Sequence, residues 1–126
     1  MQKPKIYVGM PCYDSVRVET MISLLDTFSA LGKSGIEARF HTVKSSLVTH
    51  ARNLLTCGFL QSDCDHMLCV DADVQFTPEA VMRMLVPKEF IVCTPYRVKE
   101  DPLKTKYTIK FKDPDKVKIL PWDMVE

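Results

Sequence analysis

At 126 residues, 46% apolar and 26% charged, the chain has the size and composition of one globular domain, which excludes disordered and fibrous architectures. The net charge of +1 gives no reason to expect nucleic acid as a partner, yet the charge is unevenly spread: residues 1–96 carry nine basic and ten acidic side chains, and 97–118 carry eight and four. The basic segment suits phosphate groups, an anionic membrane surface or a polyanion, or else it is a solvated Lys-rich edge that discourages strand pairing.

Ile6-Tyr7-Val8-Gly9-Met10 is a short apolar run stopped by Pro11, which predicts a buried strand ending at Met10. Val18, Met21, Ile22, Leu25, Phe28 and Leu31 then recur at the three-and-four spacing of one helix face, until Gly32 and Gly35 break the pattern. Ile36, Ala38 and Phe40 alternate with Glu37, Arg39 and His41, the period of a half-exposed strand near an edge. Ser46 can cap a second helix with an apolar face of Leu47, Ala51, Leu54, Leu55, Gly58 and Phe59. After a turn at Asp63 and Asp65, Met67-Leu68-Cys69-Val70 reads as a central strand covered on both faces and running into Asp71.

Thr77-Pro78-Glu79 combines a capping hydroxyl, Pro at the first helical position and an acid in the first turn, so a short third helix follows, facing inward with Val81, Met84 and Leu85. Phe90-Ile91-Val92-Cys93, closed by Pro95, is the expected fourth strand. Strands alternating with helices predict an α/β fold, a mostly parallel sheet with helices on both faces and right-handed crossovers. Beyond residue 96 the pattern changes. Tyr107, Ile109 and Phe111 alternate with Thr108 and Lys110, and 116–120 can pair with them across Asp113-Pro114-Asp115, which predicts a C-terminal β-hairpin on a single domain. Residues 1–96 form the expected core and 97–126 the appended hairpin and tail.

Cys12, Cys57, Cys64, Cys69 and Cys93 contain no C-x-x-C pair, and several lie in apolar runs, so reduced thiols in a cytoplasmic protein are expected. The leading residues lack the apolar stretch of a signal peptide, and no run approaches the roughly 18 apolar residues of a membrane span. A soluble protein is therefore expected.

Ligands of open parallel sheets gather at the carboxyl ends of the strands. There, Asp71 and Asp73 stand two apart, so in extended geometry both side chains leave one face and can share a cation. Carboxylate oxygens suit Mg²⁺ or Mn²⁺, which complete their shells with water and substrate phosphate. The bland reading of the same pair is turn or capping acids.

Ala51-Arg52-Asn53 on the second helix, followed by His66-Met67-Leu68-Cys69-Val70-Asp71-Ala72-Asp73, resembles the core of GT-A-fold glycosyltransferases, a Rossmann-like class, over residues 5–97. The separate motifs are short, and their order and spacing carry the resemblance. It implies that Asp71 and Asp73 hold Mn²⁺ or Mg²⁺ and act in catalysis, with Ala72 between them at the donor. It also implies that Pro11, Tyr13 and Asp14 line the nucleoside pocket, Tyr13 available to stack and Asp14 to accept from base or ribose. Arg52 would pair with a donor phosphate or orient an aspartate, since its planar fork suits either anion. Arg97 and Lys99 would approach the sugar or diphosphate as electrostatic stabilisers, or serve only as solubility charges. His50 lies near the donor or is structural.

The activity so implied is transfer of sugar from a nucleotide diphosphate sugar, UDP- or GDP-linked, to a glycan, protein or lipid acceptor. One departure stands out. The family often supplies a further metal ligand, commonly His, well beyond its D-x-D, whereas His41, His50 and His66 all precede Asp71. The acceptor half is thus expected to be short or missing, leaving a donor-binding fragment or a minimal form completed by a homo-oligomer or partner region. A non-catalytic nucleotide-sugar-binding or assembly module is one alternative. A sugar nucleotidyltransferase is another, although Gly9-Met10-Pro11-Cys12-Tyr13 lacks that class's Gly-rich phosphate loop. A D-x-D phosphatase would place the motif after the first strand rather than the third.

Overall fold

The computed structural model describes residues 2–94. The chain divides into two compact units, Met1–Phe90 and Ile91–Glu126, and the fold below is that of the first. Its elements run β1 (Lys5–Cys12), α1 (Val18–Lys33), β2 (Glu37–Lys44), α2 (Val48–Leu60), β3 (His66–Cys69) and α3 (Pro78–Met84). The strands form a three-stranded parallel sheet in the order β2-β1-β3. The α/β class and the parallel sheet follow the expectation, and so do the helices on both faces.

Alternation along β1 sets the two layers. Ile6, Val8 and Met10 are buried against Leu24 and Leu31 of α1, with Met82 and Leu85 of the α3 region packed on the same cluster. Tyr7 and Gly9 face the other way, toward α2. The backbone of Gly9 lies against Leu55, a Cβ on Gly58 would collide with the Tyr7 hydroxyl, and the Tyr7 ring meets Phe59 edge-on and stacks on His41. Desolvation raises the Tyr7 phenol above its ordinary pKa, so it stays neutral in this layer.

β1 extends two residues past the expected end and includes Pro11. The Gly9 carbonyl accepts from Val70 N–H on the β3 side, so Pro11, two residues on, turns its nitrogen to that same side. β3 pairs no further than Gly9, and the missing N–H of Pro11 costs no ladder bond. The central strand among the described residues is β1 rather than 67–70, because β1 alone has partners on both sides. Phe90-Ile91-Val92-Cys93 is not a strand, and Phe90 and Ile91 are exposed. The expected hairpin lies outside the described residues.

The expected face of α1 is corrected in part, Leu31 and the half-buried Phe28 packing on the core as expected. Thr20, Ser23, Leu24, Thr27 and Leu31 point inward, while Val18, Met21, Ile22 and Leu25 are exposed. Leu24 and Leu31 anchor the helix, and the small hydroxyl residues beside them allow close approach to the sheet. Ser23 Oγ is satisfied, donating to Glu19 O and accepting from Phe76 N–H, but the buried hydroxyls of Thr20 and Thr27 find no hydrogen-bond partner among the described residues. The helix ends in a Schellman motif, with Ile36 N–H on Leu31 O and Gly35 N–H on Gly32 O, and Gly35 supplies the required positive φ of 68°. Gly32 stays helical.

For α2, Ser46 is not the cap. The helix begins one residue later behind Leu47, whose N–H is bound by Ser45 Oγ, and its buried face narrows to Ala51 and Leu55 while Leu54 is exposed. Thr77 caps α3 as its sequence requires, accepting from Ala80 N–H at 3.3 Å, with Pro78 opening the helix and Val81 buried.

The amino edge of the sheet is held by charge. Asp63, in the turn after α2, takes Lys5 Nζ at 2.5 Å and Arg39 Nη1 at 2.6 Å, and Arg39 also binds Glu37. These two hydrogen bonds, Lys5 first, lower the Asp63 pKa from 3.8 to about 2. A depressed carboxyl pKa stabilises the fold fully above pH 3.8 and loses that contribution as pH falls through about 2. The melting temperature of Asp63→Asn is therefore expected to fall less than that of the parent over that window, as acid scans by circular dichroism would read. Equal slopes would remove Asp63 from the acid response.

Candidate functional site at the carboxyl edge

Parallel pairing brings the ends of β1, β2 and β3 to one edge, and the register aligns Cys12 with Lys44 and Gly9 with Cys69. The last ladder bond on the β3 side is Val70 N–H to Gly9 O. Alternation past it puts Val70 and Ala72 with the α1 cluster and sends Asp71 toward α2. There the Arg52 guanidinium donates to Asp71 Oδ1 at 3.1 Å, joining helix and strand end. The pair is open to solvent, so its geometry matters more than its modest contribution to stability.

Ala72 and Asp73 form a turn, so the two-residue alternation used to put both acids on one face does not carry through to Asp73. The turn is tied down: Ala72 O accepts from Arg17 N–H at the start of α1, and Phe76 N–H donates to Ser23 Oγ. The loops after β1 and β3 are thereby linked. Asp73 is exposed at the surface of this turn.

Pro11 is half-buried near the end of β1, and Tyr13 stands exposed on the loop beyond it. Asp14 pairs with Lys44 at 3.8 Å, both side chains well exposed. Cys12 Sγ donates to Ser15 O within the loop, and Cys12 O accepts from Ser45 N–H. His50 lies exposed in the first turn of α2. Arg97 and Lys99 lie outside the described residues.

Two members of this edge were not singled out from the sequence. Lys44 closes β2, and its signal was being the last residue of an alternating strand whose carboxyl end must lie beside the β1 loop. Cys69 sits close enough to Arg52 and Asp71 to feel both. Burial pushes its thiol pKa up, Arg52 pulls it down, and Asp71 pushes it up again. The thiol is therefore the protonated form at neutral pH, without the thiolate character of a nucleophile.

The edge as built offers an Arg and a Lys, each already beside one carboxylate, and a second carboxylate in the β3 turn. Arg52 spends one nitrogen on Asp71 and carries further N–H groups for a second anion. Among the described residues no group of three or more His, Cys, Asp or Glu is arranged to hold a metal ion. None of their helices is long and apolar enough to cross a membrane. No family model, curated protein or solved structure matches the chain.

Proposed function

We propose that this chain binds a nucleotide diphosphate sugar at the carboxyl edge of its sheet and is the donor-binding part of a metal-dependent glycosyltransferase with a GT-A-like fold. The observation that carries the reading is the Arg52–Asp71 pair, which sets a guanidinium beside the first acid of the Asp-Ala-Asp run at the end of β3. Arg52 then holds a donor phosphate with its remaining N–H groups while keeping Asp71 oriented. Tyr13 stacks on the base, Asp14 accepts from base or ribose, and Pro11 shapes the pocket floor.

Asp71 and Asp73 fit Mn²⁺ or Mg²⁺ in donor chemistry, being hard carboxylate ligands of the kind these ions take in ones and twos, with phosphate and water filling the rest. When bound, the ion neutralises charge developing on the leaving diphosphate. Asp71 and Asp73 would hold that ion, and Arg52 would offset charge on the diphosphate beside it. The acceptor is a glycan, protein or lipid, brought by a partner region.

The test is a thermal-shift panel of UDP- and GDP-sugars with and without Mn²⁺. A donor at a hundredfold excess over its Kd adds about 2.7 kcal/mol of stability. Stabilisation by a donor only when Mn²⁺ is present is the expected result; no shift with any donor sinks the proposal. Stabilisation without transfer or hydrolysis would make the chain a binding module. Arg52→Ala is expected to weaken donor binding by about tenfold, a charge-assisted contact of ~1.5 kcal/mol, at nearly unchanged melting temperature. A large drop in melting temperature would instead assign Arg52 to the fold.

A further inference from the structure

We propose that the outward face of α1 seats a second copy of this chain, the two helices packing antiparallel as a short coiled coil. Val18, Ile22, Leu25, Ser29 and Gly32 recur at alternating spacings of four and three, the seam of a heptad repeat. All five are exposed, and Val18, Ile22 and Leu25 are 70%, 53% and 65% open. A helix packed on one side only keeps its apolar stripe inward. α1 keeps Leu24 and Leu31 inward but also buries Thr20 and Thr27 with no hydrogen-bond partner among the described residues, while presenting a second apolar stripe to solvent.

The occupant is argued from self-complementarity. Beside the seam, Glu19, Asp26 and Lys33 line one flank and Met21 and the half-buried Phe28 the other. In an antiparallel pair like flanks meet, so Glu19 of each copy faces Lys33 of its partner, twice by symmetry, and Met21 meets Phe28. Asp26 meets its own symmetry mate at the centre, one like-charge contact against two opposite ones. A parallel pair would set each charged flank against the apolar one and form no ion pairs. Size matches as well: in the a-to-d layers of an antiparallel pair Ile22 comes over Gly32 and Leu25 over Ser29, and the space around Gly32 is open.

The 16-residue helix is about 24 Å long, which places the contact in the small, transient class of interfaces. The test is sedimentation velocity on the full chain from low to high micromolar concentration, with circular dichroism confirming that each variant keeps its helix content. The parent is expected to show a concentration-dependent monomer–dimer equilibrium that Ile22→Lys abolishes. Glu19→Lys and Lys33→Glu should each weaken it by about tenfold, and the double reversal should restore it. Asp26→Asn should tighten it. A parent that stays monomeric throughout, a dimer indifferent to Ile22→Lys, or a double reversal as weak as the single ones overturns the proposal.

Discussion

Replacing Asp73 with Asn is expected to abolish Mn²⁺-dependent donor binding while leaving the melting temperature close to that of the parent. The substitution keeps side-chain volume and removes the charge, and Asp73 is exposed on the β3–α3 turn, where such a change carries little packing cost. The binding cost is much larger. Of the two protein carboxylates proposed to hold the divalent ion one is lost, and with it half of the protein's charge on the metal. Asp71→Asn should lose binding too, with a second consequence, because it also weakens the hydrogen bond that orients Arg52. Isothermal titration of the donor with and without Mn²⁺ separates these outcomes. Metal-dependent affinity within a fewfold of the parent in Asp73→Asn would remove the Asp-Ala-Asp turn from the site.

The sequence made the layers legible where one periodicity ruled and obscured them where two competed. β1 alternates cleanly, and its buried face and parallel partners follow from that. α3 was legible from Thr77 and Pro78, because a capping hydroxyl followed by a proline has few other uses. α1 misled because apolar residues occur nearly all round it, and only contact with the sheet decides that Leu24 and Leu31 are the anchors. Phe90-Ile91-Val92-Cys93 shows the limit of composition: an apolar run becomes a strand only where a neighbouring backbone takes its N–H and C=O groups. At the site, Arg52 and Asp71 were legible as candidates, and the structure sets them 3.1 Å apart. The Asp14–Lys44 pair was not legible, since it depends on which β2 residue lies opposite Cys12. The shared face of Asp71 and Asp73 rested on extended backbone, and the turn at Ala72 ends that alternation.

Leu55→Ala should be among the most damaging single substitutions and should reach the site without touching it. Leu55 and Ala51 are the buried residues of α2, and Leu55 lies directly against the backbone of Gly9 in the middle strand. Gly9 has no side chain with which to fill a void, and Met67, the neighbouring β3 side chain, can close it only in part. Truncation of a buried leucine costs ~2–5 kcal/mol, a large share of the roughly 5–15 kcal/mol by which a domain is stable. At about 4 °C per kcal/mol for a chain of this size, the melting temperature should fall by roughly 10–20 °C. Arg52 stands on the same helix, three residues before Leu55, so an α2 that no longer seats on Gly9 loosens the pair with Asp71. Donor affinity should fall with stability in Leu55→Ala, whereas Arg52→Ala should lose affinity alone. Scanning calorimetry beside titration of the two variants reads that contrast, and a Leu55→Ala chain melting within a degree or two of the parent would mean that α2 is held by something other than its seat on β1.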